Sequence, residues 1–100
     1  MSKIYNETEM GMMVTLDHNT GELQAVYFHI RPGKASRVEE MADGRVFVNY
    51  NSKGQLLGVE MLAPCSIRVF DRITTGESLV NRGRIRRFMK DSVPRKMVAT

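Results

Sequence analysis

The sequence predicts an α+β protein that is mostly β, with an antiparallel meander sheet followed by a basic C-terminal helix. Strand-like alternation and turn residues fill the first 73 positions. From residue 74 onward the apolar spacing becomes helical and positive charge accumulates. We therefore expect residues 1–73 to form an antiparallel β unit and residues 74–100 to form a basic helix and tail. A chain of 100 residues suffices for one modest core, so both parts belong to a single domain.

The first element predicted is a hairpin near the N-terminus. Residues 11–16 end a polar segment with a short apolar run, and residues 23–30 form a second run rich in β-branched and aromatic side chains. Between them, residues 17–21 supply Asp, Asn and Gly, which favour a tight turn. Pro32 and Gly33 then end the second strand, because proline removes a ladder donor and glycine permits a bend.

A second hairpin within residues 37–62 is the clearest element of the chain. Its apolar residues alternate along two runs, Val46, Val48 and Tyr50, and then Leu57, Val59 and Met61. Asn51 and Gly54 are the first and last residues of a four-residue turn, where asparagine bonds to the backbone and glycine takes a positive φ. Phe47, Leu56 and Leu62 place apolar groups on the second face. We therefore expect this hairpin to be central and covered on both sides for part of its length.

Two further strands are predicted beside this hairpin. Residues 34–41 begin a strand that turns into the hairpin at Ala42-Asp43-Gly44. Ala63-Pro64 ends the hairpin, and the alternation of Ile67, Val69 and Ile73 predicts a short strand or extended arm over residues 66–73.

A helix is predicted from about residue 76 to residue 92. Thr74 and Glu77 have the spacing of a capping box, in which a hydroxyl and a carboxylate satisfy free backbone donors of the first turn. Val93-Pro94 ends the helix. Its apolar residues Ile85, Phe88 and Met89 share one face, whereas Arg84, Arg87 and Lys90 lie largely on the other.

Composition limits the compartment and the partners. The single cysteine, Cys65, rules out an internal disulfide and indicates a reducing compartment. No stretch approaches the roughly 18 apolar residues of a membrane span, so we expect a cytoplasmic protein with no membrane partner. The net charge of +4 is unevenly distributed, since residues 67–100 hold nine Lys or Arg against three acids. The basic character therefore belongs to the C-terminal third.

Catalytic and metal-binding chemistry has little support. A nucleophilic cysteine needs a nearby base, and only His29, in a predicted strand, and His18, in a turn, are available to Cys65. No ligand pairs have the spacing of a metal site. Glu39 and Glu40 are neighbours on a strand and should point to opposite faces. We predict no enzyme activity, no cofactor and no metal, with a Cys65–His29 enzyme as the least favoured hypothesis.

Two stretches resemble a known family. They are residues 5–16, YNETEMGMMVTL, and residues 36–50, SRVEEMADGRVFVNY, the latter continued by Gly54, Leu57, Gly58, Val59, Glu60 and Leu62. This pattern is similar to the small prokaryotic domain of unknown function number 2283, with its opening motif, Asp-Gly turn and Gly-x-Glu-x-Leu ending. Asn6 replaces the usual Asp, and Met10-Gly11-Met12 replaces Ala-Asp-Ala. Residues 17–32 resemble an inserted arm, although residues 22–30 align with the first family strand in an alternative alignment.

The resemblance covers about half the chain and implies a small, mostly antiparallel sheet with no established activity. Members often lie beside small toxin-like proteins, which implies an antidote or partner-binding role. The basic region beyond Ala63 falls outside the resemblance.

Three functional hypotheses follow from these observations. The first is a non-enzymatic interaction or structural module that acts as a homo-oligomer, because an open meander sheet leaves two edges to be paired. The second is a nucleic-acid-binding or toxin-neutralising regulator, with a cluster of basic residues as its surface: Arg82, Arg84, Arg86, Arg87 and Lys90. The third, and least favoured, is an enzyme that uses Cys65, His29 and nearby carboxylates. For the basic helix itself, the alternatives are that it packs on the sheet or on another subunit and displays its cations to water, or that it binds an acidic protein.

Overall fold

The computed structural model describes residues 10–64, 66 and 68–97. Five strands form one antiparallel sheet: β1 (Gly11–Leu16), β2 (Leu23–His29), β3 (Arg37–Met41), β4 (Val46–Tyr50) and β5 (Leu56–Leu62). Two α-helices and a 3-10 turn follow: α1 (Val69–Ile73), α2 (Leu79–Ser92) and a turn over Arg95–Met97. The predicted fold class, a mostly β α+β protein with an antiparallel meander sheet, is confirmed.

The strand order across the sheet is β1-β2-β5-β4-β3. The β1–β2 hairpin is joined to the β3–β4–β5 meander by pairing of β2 with β5. The connection between β2 and β3 therefore passes β5 and β4 and reaches the edge of the sheet opposite β1. As a result β1 and β3 are the two edge strands, and β5 is central.

Both predicted hairpin turns form as their residues dictate. In the first, the Asp17 carboxylate accepts hydrogen bonds from the backbone N–H of Asn19 at 2.8 Å and of Thr20 at 3.0 Å. These donors, Thr20 foremost, lower the pKa of Asp17. In the second, Asn51 Oδ1 accepts from the backbone N–H of Lys53 at 2.9 Å, and Gly54 has φ +79°. The side-chain bonds thus complete each turn locally.

The β4–β5 register corrects the assignment of one apolar residue. Val46 pairs with Met61 and Val48 with Val59, as the alternation predicts. An irregularity between Asn49 and Tyr50 then pairs Tyr50 with Leu56, which joins the main core cluster. An extra residue in one strand reverses the face to which the following side chains point. Simple alternation therefore places Leu56 on the second face of the hairpin, whereas it lies on the core face.

The core lies between one face of the sheet and the helices. Phe28 is fully buried at its centre, with its ring edge-to-face against Phe70 of α1 (centroids 5.7 Å apart) and Phe88 of α2 (6.0 Å). Sheet residues of the same face complete the cluster with Ile85, Met89 and Met97. Burial of this apolar face against the helices is the main stabilisation of the domain.

The opposite face of the sheet carries no helix in the part of the chain that the structure describes. Met13, Tyr27, Phe47 and Leu62 are half-buried there. Within the described residues, coverage of the central hairpin on this side, expected for part of its length, therefore comes from side chains and loops and not from a helix: Leu57, outside the main core cluster, is 5% exposed and lies against Gly33. Tyr27 covers Gly58, since a Cβ built on this glycine would collide with the tyrosine hydroxyl. The ring thus shields a stretch of β5 backbone on the open face.

Two predictions for the C-terminal third are wrong. Residues 69–73 form helix α1 instead of a strand. In the helix, Ile73 lies one turn from Val69 and Phe70, and all three side chains are buried. The capping box at Thr74–Glu77 does not form. Ser78 caps α2 instead, its hydroxyl accepting from the Asn81 backbone N–H at 3.3 Å, so the helix begins at Leu79. The predicted end at residue 92 is correct.

Candidate interaction surface

A buried ion pair fixes the start of α2 against the sheet. The Glu77 carboxylate, with 5% of its side chain exposed, accepts from both terminal nitrogens of Arg31, at 2.8 and 3.0 Å. It also accepts from the backbone N–H of Leu56 at 3.0 Å, while Arg31 donates to the Leu56 carbonyl at 2.7 Å. The hydrogen bonds from Arg31 lower the pKa of Glu77, against the opposing effect of burial. This pair joins the end of β2, the start of β5 and the start of α2.

The five cations of the predicted basic surface do not share one face of α2. Arg82, Arg86 and Lys90 follow each other at intervals of four residues along one flank. Asp71 of α1 lies 3.2 Å from Arg86 and 3.9 Å from Lys90. Arg82 is half-buried, and its Nε is buried with no partner in the described chain. Three of the five are thus directed toward α1 or the interior.

Arg84 and Arg87 form the remaining, freely exposed part of that surface. Within residues 10–64, 66 and 68–97, neither side chain has a hydrogen bond or an ion pair. Both line a groove of about 500 Å³ with Met10, Val80 and Phe88, and one acid, Asp91, lines it as well without forming an ion pair with either arginine. The groove joins an apolar floor to two unpaired cations at the side of α2 nearest to the start of β1.

The β1 edge lacks the charged residues and prolines that often block pairing with another chain, although its pairing with β2 is irregular between Thr15 and Leu16. Its six residues, GMMVTL, include no charge and no proline. Val14 is 46% exposed and Leu16 is 53% exposed. The other edge strand, β3, carries Arg37, Glu39 and Glu40. Charged residues are a common protection of sheet edges, so β3 is protected, whereas β1 has no strand partner on its outer side within the described residues.

The described residues contain no cluster of metal-ligating side chains, and they do not include Cys65. No group of three or more His, Cys, Asp or Glu side chains in the described chain is arranged to hold a metal ion. His29 lies half-buried in β2 and His18 is exposed in the first turn, whereas Cys65 lies outside the described residues. None of the helices among these residues has both the length and the apolar character to cross a membrane.

Comparison with known proteins gives no relative. No family model matches the chain, and no curated protein and no solved structure matches it significantly. The resemblance to the domain of unknown function number 2283 therefore stays a prediction, and residues 5–9 of its opening motif lie outside the described residues. Function has to be inferred from the surfaces themselves.

Sequence reasoning did not single out the β1 edge or the Arg31–Glu77 pair. The lack of charge in residues 11–16 is visible in the sequence, but the edge position of the strand depends on the pairing of β2 with β5. Arg31 and Glu77 are 46 residues apart, and no local pattern links them. The half-exposed Val14 and Leu16 indicate a contact surface only once the strand order shows that β1 is an edge strand.

Proposed function

We propose that this protein is a non-enzymatic interaction module that acts as a homodimer, formed by antiparallel pairing of the β1 edges of two copies. The observation that carries the proposal is the uncharged β1 edge, which no other strand of the described residues pairs, with its half-exposed Val14 and Leu16. Pairing would join two five-stranded sheets into one sheet of ten strands. The edge strands of that sheet would be the two charged β3 strands.

The antiparallel strand favours a two-fold symmetric contact. The outer edge of β1 carries the same pattern of backbone donors and acceptors in both copies. A two-fold axis perpendicular to the sheet therefore lets each copy donate to and accept from the other in the same way. This axis keeps the helices of both copies on the same face of the joined sheet. Val14 and Leu16 of each copy would then lie near the two-fold axis and lose their exposure to water.

The apolar area that the contact buries determines the expected affinity of the dimer. Full burial of a Val or Leu side chain contributes about 1.5–3 kcal/mol, and Val14 and Leu16 have about half of that burial left to gain. A six-residue edge is smaller than the standard protein interface. We therefore expect a dissociation constant in the micromolar range, roughly −8 kcal/mol of binding free energy.

A lysine at Val14 tests the dimer. Val14→Lys places a charge near the same group of the second copy and should weaken dimerisation at least tenfold, measured by sedimentation velocity across a concentration series. Val38→Lys is the matched control, because Val38 is 60% exposed on the opposite edge strand and receives the same charge. It should leave the dimer intact. A monomeric parent chain, or loss of the dimer only in Val38→Lys, would contradict the proposal.

A second candidate function, a nucleic-acid-binding or toxin-neutralising regulator that uses α2, has support from the unpaired Arg84 and Arg87. In the proposed dimer, four such arginines would lie on one face of the joined sheet. Cations without acidic partners can neutralise phosphates and release counterions, which makes binding dependent on salt. Arg86 and Lys90 contribute less to such a surface, because Asp71 offsets part of their charge.

The double variant Arg84→Ala/Arg87→Ala tests this second candidate. Binding of labelled duplex DNA and of RNA, measured by fluorescence anisotropy in a salt series, should weaken, and the salt slope should fall by about 0.9 for each DNA phosphate that the variant no longer neutralises. Arg68→Ala/Arg95→Ala removes the same charge from exposed positions outside α2 and should change the binding much less. If both double variants weaken binding equally, α2 contributes only net charge and not a specific surface. If the parent chain binds neither DNA nor RNA at low salt, the nucleic-acid hypothesis is wrong.

A further inference from the structure

We propose that a cleft at the β3 side of the sheet binds a small molecule that carries a carboxylate or phosphate together with a hydrogen-bond donor. The cleft has a volume of about 370 Å³ and opens between strands β3 and β4 and the connection from α1 to α2. Ligand sites of small molecules begin at roughly 300 Å³, so the cleft fits a small metabolite and not a polymer. It lies at the opposite edge of the sheet from β1 and is independent of the proposed dimer.

Two arginines from separate elements supply the anion-binding side. Arg37 comes from β3, and its guanidinium carbon lies 4.4 Å from the centre of the Tyr50 ring. Stacking on an aromatic face fixes the guanidinium plane and leaves its N–H edge available. Its ion-pair neighbour Glu39 is 4.0 Å away, beyond hydrogen-bond distance. The Arg37 side chain is 60% exposed, and within the described residues its guanidinium donates no hydrogen bond, so its donors are available to a ligand.

Arg72, at the other side of the cleft, is an exposed residue of α1. Across the described chain its guanidinium takes part in no hydrogen bond and no ion pair, although Asp71 beside it is engaged by Arg86 and Lys90. Arginine presents N–H groups in a fork that matches the oxygens of carboxylate and phosphate groups. Together Arg37 and Arg72 outweigh the single negative charge of Glu39 in the lining.

Glu39 and Tyr50 explain why the ligand should carry a hydrogen-bond donor as well as an anionic group. The Glu39 side chain is 44% exposed, and its carboxylate can accept hydrogen bonds from a ligand with an amino or hydroxyl group near its anionic end. Burial, followed by the charge of Glu39, raises the pKa of Tyr50, so its hydroxyl stays protonated at neutral pH. Gly54 and Gly76 approach each other at one end of the cleft and present backbone instead of side chains.

The test is a titration of the full chain, followed by ¹⁵N-resolved NMR, with four probes. Phosphoethanolamine and β-alanine both carry an amine and differ in the anion, inorganic phosphate lacks the amine, and ethanolamine lacks the anion. We expect saturable shifts at Tyr50, Gly54 and Gly76 with phosphoethanolamine, β-alanine or both, which identifies the anion. Ethanolamine should give none, and inorganic phosphate should bind more weakly than phosphoethanolamine.

Substitutions at the cleft give the matched comparison. Arg37→Ala and Arg72→Ala should each weaken binding at least tenfold, and Glu39→Gln should reduce the preference for phosphoethanolamine over inorganic phosphate. Arg68→Ala, which removes an exposed arginine next to α1 but outside this cleft, should leave the affinity unchanged. Absence of saturable shifts with every anionic probe at millimolar concentration would overturn the proposal. Affinities that are the same in Arg37→Ala, Arg72→Ala and the parent chain would also overturn it.

Discussion

Replacing Phe28 with Ala is expected to lower the free energy of unfolding by about 4 kcal/mol. The ring is fully buried and makes edge-to-face contacts with Phe70 and Phe88, so the substitution removes apolar burial and two aromatic contacts and leaves a cavity. Domains of this size are stable by about 5–15 kcal/mol, so the loss is a large share of the total. Urea denaturation followed by circular dichroism measures it.

Phe47→Ala is the matched control for this variant. Phe47 is the same residue type on strand β4, but it is half-buried on the sheet face without a helix. We expect a loss below about 2 kcal/mol, since less apolar surface is removed from burial. A loss at Phe47 as large as that at Phe28 would contradict the assignment of the core to one face of the sheet.

Glu77→Ala is expected to destabilise the domain by about 3 kcal/mol. The substitution leaves Arg31, whose side chain is 22% exposed, without its bidentate partner and removes the acceptor of the Leu56 N–H. Breaking one side of a largely buried pair costs more than the pair itself contributes, because the remaining charge stays partly buried and the Leu56 N–H loses its acceptor. Asp71→Ala removes two exposed ion pairs, with Arg86 and Lys90, and should cost less than about 1 kcal/mol. Similar losses in the two variants would contradict the structural role of Glu77.

The same carboxylate gives the stability a pH dependence of known sign. The pKa of Glu77 is lower in the folded state than the ordinary value of 4.5, so the unfolded chain takes up its proton first as the pH falls. The contribution of Glu77 is therefore fully present above about pH 4.5 and declines as the pH falls through the folded-state pKa. Glu77→Gln should flatten the loss of stability between neutral pH and this acidic range. An unchanged pH profile would contradict the lowered pKa.

Local chemistry explains which parts of the fold were predictable. The two hairpins depend on neighbouring residues, such as Asp17 and Asn51, whose side chains complete their own turns. Helix α1 was not predictable, because the spacing of Ile67, Val69 and Ile73 fits both a strand and one helical turn. Only the packing of Val69 and Ile73 against the sheet selects the helix.

The candidate surfaces were less predictable than the fold. The sequence identified the five cations of α2, but it could not show that Asp71 engages Arg86 and Lys90, since this contact requires α1 to be helical. Glu77 has the spacing of a capping residue, and its actual partner Arg31 belongs to a distant segment. The edge position of β1 follows from long-range strand pairing, which no local pattern encodes.

Amide hydrogen exchange of β1 at two protein concentrations tests the proposed dimer most directly. At concentrations well above the micromolar range, the N–H groups of β1 that point away from β2 should exchange slowly, because they are bonded to the second copy. At concentrations well below it, the same groups should exchange quickly, while those of the central strand β5 stay protected at both. Exchange in β1 that does not depend on concentration, or a concentration effect confined to β3, would contradict pairing of the β1 edges.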